Sequence, residues 1–468
     1  MEYQEEIRAY FSLHREELVR DVIRLVEIPS VKSDPAPGAP YGTGPKQALL
    51  TAMELARSAG FTVKNYDNRV CTADFFDAPR RLEILAHLDV VPVEDNWTVC
   101  SPFTPALVDG KLYGRGTQDD KGPAIAALYA MKCVRALGVP LTGNVRLVLG
   151  TDEECGSSDI DYYYTQEPEA PMTISPDADF PLINLEKGQM RCDLAVQFEK
   201  TERLPRVTAV QVGTKSNVVP AGGSAIVVGV TVAEAEEFCR TAAVMTGAQF
   251  TVSEEAAGLR IRVTGVGAHA ASPEHGNNAL TALLTLLAAL PLAPCGSTDA
   301  VRALHRLFPH GDWAGRGTGI AQADEISGAL TLCLNMLTLN EQQMLAVTDA
   351  RLPVCATEEN CHAVFRANCE AVGFQVLDRD LVPVHYIPET EPFVQTLLQT
   401  YTAWTGQPGK CIAIGGGTYV HGLKNGVAFG CEMPGTDYHI HDADEFMPVD
   451  ELILAAEMMA QAILELCR

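Results

Sequence analysis

The sequence predicts an α/β protein with a doubly wound mixed sheet, into which a second, α+β domain is inserted. Buried strands alternate with amphipathic helices before residue 187 and again after residue 384, a pattern typical of doubly wound sheets. The stretch 188–383 instead shows strands and polar loops with two or three helices, in two halves of similar plan. At 468 residues the chain is also long for a single core. We therefore expect a first domain at 1–187 and 384–468, and an inserted domain at 188–383, with Lys187 and Gly188 at the junction.

Strands and helices alternate along the first domain. The amphipathic N-terminus is followed by a second predicted helix and by two short strand candidates, and the apolar run LEILA then predicts a buried strand. Apolar periodicity predicts further helices after the Asp-Asp pair and in the C-terminal part. The predicted elements are helices at 1–29, Lys46–Ser58, Lys121–Leu137, Thr390–Thr405 and Val449–Cys467, and strands at Phe61–Tyr66, Val70–Phe75, Leu82–Asp89, Val145–Leu149 and 174–177. In the inserted domain we expect helices near 232–246, 277–290 and 357–371.

Charge and composition exclude several classes of function. The formal net charge is −25 and the isoelectric point is about 4.8, which argues against nucleic acid or anionic membranes as partners. The N-terminus lacks the positive and apolar regions of a signal peptide, and no run of about 18 apolar residues is present to span a membrane. The 14 cysteines form no CxxC pair, which is typical of buried thiols in a reducing compartment. We therefore expect a cytoplasmic protein.

The stretch LEILAHLD places two polar residues at the end of a buried strand. Alternation along the strand puts His87 and Asp89 on one face at its carboxyl end, where open α/β sheets bind ligands. An imidazole can ligate a metal ion, and a neighbouring carboxylate can fix the tautomer of the ring. An isolated pair of this kind is more often a hydrogen-bonded histidine at a strand end, so the interpretation depends on the rest of the chain.

Further imidazoles and carboxylates follow other predicted strands. Residues of these types suit zinc, manganese or cobalt, and their number exceeds what one ion needs, so we expect a carboxylate-bridged pair of ions about 3.5–4 Å apart. The set is His87, Asp89, Asp119, Glu153, Glu154, Asp177 and a late histidine in DYHIHDADE. Neighbouring Glu153 and Glu154 point different ways, so one can bind metal while the other acts as general base and then as general acid. Taken singly, a Glu-Glu pair is usually a solvated loop, and Asp119 or Asp120 could cap the following helix.

Several motifs together resemble one enzyme family. HLDVVP, YGRGTQDDKGP, TDEECGSSD, SPDADFP, a GxxAHxxxPExGxNA loop and a final HxxDE are similar to those of the co-catalytic di-zinc exopeptidases, which include aminoacylase and carboxypeptidase G. Within that family the chain resembles the PepV-like bacterial dipeptidases, which have a similar length and an inserted lid domain. The resemblance covers essentially the whole chain. It implies that the first domain is catalytic, that the inserted domain is a lid, and that the cofactor is two divalent metal ions, zinc before manganese or cobalt.

The resemblance also implies roles for individual residues. Glu153 would be the general base, Asp89 would orient His87, and the peptide bond after Asp119 would be cis. The HxxxE pattern selects His441 with Glu445 as the last metal ligand, and His439 is the reserve candidate. The implied metal ligands are His87, Asp119 as the bridge, Glu154, Asp177 and His441.

Residues of the lid and of a glycine loop would contact the substrate. His269 resembles the family's substrate-facing histidine and would stabilise the oxyanion, although the same loop also holds His275. Asn217 and Arg351 resemble positions that bind the substrate carbonyl and carboxylate, with a structural salt bridge as the alternative for Arg351. The backbone N–H groups of Gly415, Gly416, Gly417 and Thr418 would face the same carboxylate. The family often has a glycine soon after the lid histidine, whereas here Ala270 and Ala271 follow it, which affects the expected side-chain preference.

The motifs together predict a metal-dependent dipeptidase that acts on dipeptides or short peptides with a free N-terminus, through a di-metal-bound hydroxide. An N-acyl-amino-acid deacylase using the same two metals is the alternative enzyme. A peptide-binding protein with structural metals is the alternative outside enzymes, and it requires Glu153 to be idle. The partner expected is a small peptide, and the protein is expected to be a monomer.

Overall fold

The computed structural model describes residues 1–468, which form two compact units. The first unit comprises Met1–Glu186, His385–Ile412 and Gly417–Arg468, and the second comprises Lys187–Val384 and Ala413–Gly416. The second unit thus takes four residues of the C-terminal part of the chain, Ala413–Gly416, in addition to the inserted stretch. No helix in either unit combines the length and apolar character that crossing a membrane requires.

Regular elements run through both units. The helices α1 to α10 are Gln4–Val26, Thr43–Ser58, Lys121–Leu137, Ser158–Gln166, Val232–Thr246, Ala279–Ala289, Gly296–Leu307, Ala363–Ala371, Pro392–Thr405 and Val449–Cys467. The strands β1 to β12 are Thr62–Tyr66, Val70–Asp74, Arg80–His87, Ala106–Val108, Lys111–Tyr113, Asn144–Gly150, Met172–Ser175, Leu182–Glu186, Gly188–Gln197, Arg206–Val212, Val218–Val219 and Gly222–Val228. The strands β13 to β24 are Gln249–Glu255, Gly258–Thr264, Ala268–His269, Ala323–Asp324, Gly328–Ala329, Thr331–Leu339, Gln343–Leu352, Gln375–Val382, His385–Tyr386, Cys411–Ile414, Gly426–Ala428 and Phe446–Pro448.

A mixed sheet forms the centre of the first unit. Its strands follow the order β1-β2-β6-β3-β7-β23-β8-β21, and β22 also pairs with β8. The four central strands β6, β3, β7 and β23 are parallel, whereas the strands at both edges are antiparallel. Helices α1, α2, α3, α9 and α10 pack with the sheet into one apolar core. This is the predicted α/β architecture with a mixed sheet.

Strand β3 and helix α3 carry the first polar residues of the site. Leu82, Ile84 and Leu85 of β3 are fully buried, and the strand lies between two parallel neighbours in the centre of the sheet. Helix α3 begins at Lys121 without a side-chain cap, so neither aspartate of the preceding pair caps it, and it ends at Gly138 in a left-handed conformation. The bounds of α3 match the predicted helix.

The second unit is built on one antiparallel sheet of eight strands in the order β13-β14-β12-β10-β18-β19-β9-β20. The pairing of β10 with β18 joins two halves of four strands each. Helices α5 to α8 pack against this sheet around a single apolar core. The α+β character was predicted, and the structure adds that both halves share one continuous sheet.

Candidate metal and catalytic site

The side chain of His87 is oriented by a main-chain contact. Its Nδ1–H donates to the backbone carbonyl oxygen of Asp89 at 3.0 Å, so the lone pair of Nε2 points the other way. Nε2 lies 2.9 Å from Oδ1 of Asp119 and 3.4 Å from Oδ2 of Asp177. This nitrogen is buried and has no hydrogen-bond partner despite the nearby oxygens. A buried imidazole nitrogen facing two carboxylates without a hydrogen bond fits a metal ligand.

A second histidine faces the other oxygen of the same carboxylate. Nε2 of His441 lies 2.9 Å from Oδ2 of Asp119 and 3.2 Å from Oε1 of Glu154. Asp119 therefore stands between two donor groups, one with His87 and Asp177 and the other with Glu154 and His441. An arrangement of this kind can bridge two metal ions. His439 is not part of either group, and its ring packs edge-on against Phe446.

The predicted ligands thus converge, and the structure distinguishes the two late histidines. Both His439 and His441 have positive φ angles, 57° and 63°, a conformation that is uncommon outside glycine. The sequence offered both residues, and only His441 reaches the carboxylates. The peptide bond between Asp119 and Asp120 is cis, as predicted.

The carboxylate of Asp89 makes two backbone contacts that were not predicted from the sequence. Its Oδ1 accepts the backbone N–H of Glu153 and its Oδ2 accepts the backbone N–H of Glu154, both at 3.1 Å. Oδ1 lies 3.5 Å from Nδ1 of His87, farther than the carbonyl oxygen that holds the ring. Asp89 therefore positions the turn that carries the two glutamates, and its carbonyl rather than its carboxylate fixes the His87 tautomer.

Glu153 and Glu154 lie on a short 3₁₀ turn, Glu153–Cys155, directly after strand β6. Both side chains are partly buried, whereas Cys155 is exposed. Burial raises the pKa of Glu154 to about 7, and the charge of Asp119 adds to the shift. Burial also raises the pKa of Glu153 well above its usual value, with contributions from Asp177 and Glu154. Two divalent cations would offset this accumulated negative charge.

The pKa values of the two histidines are raised, and the pKa of the bridging carboxylate is lowered. Burial disfavours the charged form of His441, but Asp119 and Glu154 outweigh it and raise the pKa to about 11. Burial acts in the same way on His87, and its carboxylate neighbours likewise raise the pKa of that ring. Burial alone would raise the pKa of Asp119, yet the neighbouring imidazoles of His441 and His87 lower it. Without metal, protons on the imidazoles therefore supply part of the positive charge that the carboxylates need.

Glu445 holds the loop that carries the bridging carboxylate. It is fully buried and accepts the backbone N–H groups of Gly116, Gln118 and Asp119 at 2.9–3.2 Å. Nη1 of Arg115 donates to its Oε2 at 2.6 Å and balances the charge. From the sequence, Glu445 was recognised only as the last residue of the HxxxE pattern. Its three contacts with peptide N–H groups about 330 residues away could not be predicted, because no local pattern marks them.

Other buried groups around the site were also missed. Asp120 accepts the backbone N–H of His87 at 2.9 Å. Asp159 accepts the backbone N–H of Thr151 and the hydroxyl of Tyr419, whose ring lies edge-on 6.1 Å from the His87 ring. The adjacency of Asp120 to Asp119 was a usable signal for the first contact. The Asp159 contacts join strand ends through tertiary packing and leave no motif.

The second unit places two of its candidate residues side by side. Val218 pairs with His269 in a two-residue ladder, and the N–H of Ala270 donates to the backbone oxygen of Asn217 at 2.9 Å. Nδ1 of His269 accepts the N–H of Ala271 at 3.2 Å. In the neutral ring the proton is therefore on Nε2, the atom that could donate to a ligand.

Arg351 is buried and already holds several contacts inside the second unit. Its Nε and Nη2 donate to the carboxylate of Asp349 at 2.9 and 3.2 Å, and its Nη1 donates to the carbonyl of Gly415 at 2.7 Å. These contacts are the salt bridge that the sequence left open as the alternative, together with an anchor for the first residue of the glycine loop. A substrate contact of Arg351 stays a prediction.

The last predicted residue of the glycine loop is fixed within the first unit. The N–H and the hydroxyl of Thr418 both donate to Oε1 of Glu186, at 3.1 and 2.8 Å, and Nδ1 of His421 lies 2.9 Å from Oε2. The donor groups of Thr418 are thus already used. Among the predicted N–H donors, Gly416 and Gly417 carry no such carboxylate contact in the structure, and their substrate role stays a prediction.

Comparison with known proteins places these features in a family. The family model described as "Peptidase family M20/M25/M40" matches residues 84–465. "Putative dipeptidase YtjP" of Bacillus subtilis is 34% identical over 461 residues, which cover 97% of this chain and 98% of the relative. "Beta-Ala-Xaa dipeptidase" of Lactobacillus delbrueckii subsp. lactis is 31% identical over 463 residues and 97% of each chain. The crystal structure of human carnosine dipeptidase 1 shares the fold, with a TM-score of 0.58 at 14% identity over 99% of each chain. The family predicted from the motifs is confirmed, and the chain belongs to peptidase family M20/M25/M40.

Proposed function

We propose that this peptidase is a metal-dependent dipeptidase that cleaves dipeptides or short peptides with a free N-terminus. The observation that carries the proposal is the placement of Asp119 between two imidazoles, each accompanied by a further carboxylate. The named dipeptidase relatives match nearly the whole chain, which supports the proposal.

The donor set fits two divalent cations, and zinc is the proposed metal, with manganese or cobalt as alternatives. His87, Asp119 and Asp177 would hold one ion, and Asp119, Glu154 and His441 would hold the other. Imidazole and carboxylate donors without sulfur suit all three metals. When bound, two such ions polarise a peptide carbonyl and lower the pKa of water.

Glu153 is the proposed general base. Its backbone is fixed by Asp89, and its side chain belongs to neither donor group, so its carboxylate stays available for proton transfer. It would accept a proton from the attacking water and later donate it to the leaving amine. The same carboxylate thus serves both halves of the hydrolysis.

The remaining predicted residues take proposed roles in binding. His269 would donate from Nε2 to the developing oxyanion, because its Nδ1 is occupied by the Ala271 N–H. Asn217 would bind the substrate carbonyl, and Arg351 with the N–H groups of Gly416 and Gly417 would bind the carboxylate. Thr418 would keep this loop in place through Glu186. We further propose that the protein is monomeric and cytoplasmic and that its partners are small peptides.

Hydrolysis of a matched substrate panel tests the function. The panel consists of Ala-Ala, β-Ala-His, acetyl-Ala and Ala-Ala-Ala, each measured with the purified protein before and after chelation and with zinc, manganese or cobalt restored. Metal-restored cleavage of the free dipeptides, with slower cleavage of the tripeptide, is the expected result. Cleavage of acetyl-Ala alone would instead identify a deacylase.

The variant Glu153→Gln tests the mechanism in the same assay. It keeps the size of the side chain and the backbone contact with Asp89, so metal content should be unchanged. Loss of a general base lowers kcat by about 10²–10⁴-fold. Glu94→Gln is the matched control, since Glu94 is exposed and belongs to neither donor group. Unchanged hydrolysis by Glu153→Gln would refute its role as general base, and a wild-type protein that hydrolyses none of the substrates with any metal would leave a binding protein as the explanation.

A further inference from the structure

A second kind of donor cluster lies in the second unit and shares no residue with the donor groups of the first unit. Cys192 of β9, His362 at the end of a one-turn π-helix (Glu358–His362) and Asp378 of β20 bring three donor atoms within 4.8 Å of one another. Oδ1 of Asp378 is the common point. It lies 2.9 Å from Nε2 of His362 and 3.6 Å from Sγ of Cys192. We propose that these three residues form a separate zinc site that ties three elements of the inserted unit together.

The spacing of the donor atoms agrees with tetrahedral zinc. Zinc–sulfur bonds of about 2.3 Å and zinc–nitrogen or zinc–oxygen bonds of about 2.0 Å place ligand atoms about 3.3–3.5 Å apart. The observed separations of 3.6 Å for sulfur and oxygen and 2.9 Å for nitrogen and oxygen need only small adjustments. Three protein ligands leave a fourth position for water.

The backbone around the cluster presents these donors to one another. Asp378 stands directly opposite Cys192 in the β20–β9 ladder, and a register shift follows between Asp378 and Asp380. Bulges of this kind redirect side chains. His362 is the last residue of the π-helix and directly precedes helix α8. Bulges and single π-turns both occur frequently at functional sites.

The contacts around His362 and Asp378 are those expected of residues just outside a zinc site. Nδ1 of His362 lies 2.6 Å from Oε1 of Glu358, which fixes the ring with Nε2 toward the cluster. Metal-binding histidines commonly donate their other N–H to such a carboxylate. Arg366 donates to Oδ2 of Asp378 at 2.6 Å and leaves Oδ1 for the metal. The Asp378 side chain is itself partly exposed, so an ion could reach the cluster from solvent.

Cys192 offers a sulfur donor, which distinguishes this cluster from the site in the first unit. Its thiol is fully buried, and its hydrogen-bond partner is the Asp378 carboxylate. Burial and that carboxylate raise the pKa of the Cys192 thiol to about 12, so the thiol stays protonated without metal. A bound divalent ion deprotonates a thiol directly, and the protons of Cys192 and His362 would pass to solvent. Neither donor group of the first unit contains sulfur.

Cobalt substitution of the full-length protein tests this proposal independently of the dipeptidase function. Only a cobalt–thiolate bond gives an intense charge-transfer absorption in the near ultraviolet, so the six oxygen and nitrogen donors of the first unit cannot produce it. We expect that band, together with three metal equivalents per chain rather than two. Two equivalents without the band in the wild-type protein would overturn the proposal, whether or not the protein hydrolyses peptides.

Variants assign the band to the cluster. Cys192→Ser and His362→Gln should each lose the band and one metal equivalent while keeping two equivalents and the dipeptidase activity. Cys239→Ser is the matched control, since Cys239 is another buried thiol of the same unit outside the donor group, and it should keep the band. A band that survives in Cys192→Ser would overturn the assignment. If the cluster variants fail to fold, the metal count and the wild-type spectrum still decide the question.

Discussion

Asp89→Asn separates the two contacts that residue 89 makes in the site. The substitution keeps the backbone carbonyl that orients His87, so the histidine tautomer should not change. It replaces a carboxylate that accepts two N–H groups, those of Glu153 and Glu154, by an amide with one oxygen. The amide nitrogen would face one of the two N–H groups, and the turn would lose part of its support.

The expected loss follows from those two contacts. A hydrogen bond to a charged group contributes about 1.5–3 kcal/mol, and a buried donor left without an acceptor costs about 1–3 kcal/mol. Each 1.4 kcal/mol corresponds to about a factor of ten in rate. We therefore expect kcat/KM to fall about 10–100-fold, which is less than the loss expected for removal of the general base itself.

Steady-state hydrolysis of Ala-Ala, with metal content measured on the same samples, checks this prediction. Asp161→Asn is the control, because Asp161 is exposed on helix α4. Metal on the His87 side should be retained, since the carbonyl contact is intact. An unaltered kcat/KM would refute the role assigned to the Asp89 carboxylate, and loss of the metal would show that the carboxylate rather than the carbonyl controls His87.

Three further outcomes are expected. Glu445→Gln removes the charge that holds three backbone N–H groups and leaves Arg115 buried without its partner, so urea denaturation should show a free energy of unfolding lower by about 3–5 kcal/mol. Burial raises the pKa of Glu457 from 4.5 to about 7, so the folded state binds the extra proton and stability falls as pH rises between these values. Because the side chain is partly exposed, Glu457→Gln should therefore be more stable than the wild type by about 1–2 kcal/mol at pH 8 and equal to it near pH 4, as measured by urea denaturation at both values. Chelation should abolish hydrolysis and lower Tm, because Asp119, Glu154 and their neighbours lose the cations that offset their charge, and added zinc, manganese or cobalt should restore both.

The strongly patterned elements could be predicted from the sequence. Helix α3 matches its predicted bounds because an apolar periodic run ends at Gly138, and β3 was recognised from a nearly unbroken apolar run. Helices α4 and α7 were not predicted. Helix α7 begins at Gly296 after a Cys295 that provides no side-chain cap, and α4 is only nine residues long and rich in tyrosine.

The site was predictable in its residue types and less so in its contacts. The spacing of His87 and Asp89 placed both at a strand end, but the turn that the Asp89 carboxylate holds lies 64 residues away. The pattern HIHDADE could not distinguish His439 from His441, because both residues have left-handed backbone and only the folded structure shows that the His441 ring faces Asp119. Contacts of this kind depend on tertiary packing rather than on local sequence.

The short turn that carries Glu153 and Glu154 also carries a thiol that can be labelled chemically. Cys155 is its exposed last residue, while most of the other thiols are buried. Burial raises the pKa of the Cys155 thiol, Lys32 opposes the shift, and the charges of Asp89 and Glu154 add to it. Since the thiolate is the form that alkylates, a metal ion that offsets the charge of Glu154 should speed the reaction of Cys155 with iodoacetamide. Alkylation kinetics at this one position would then report the loading of the site in real time, without any substrate.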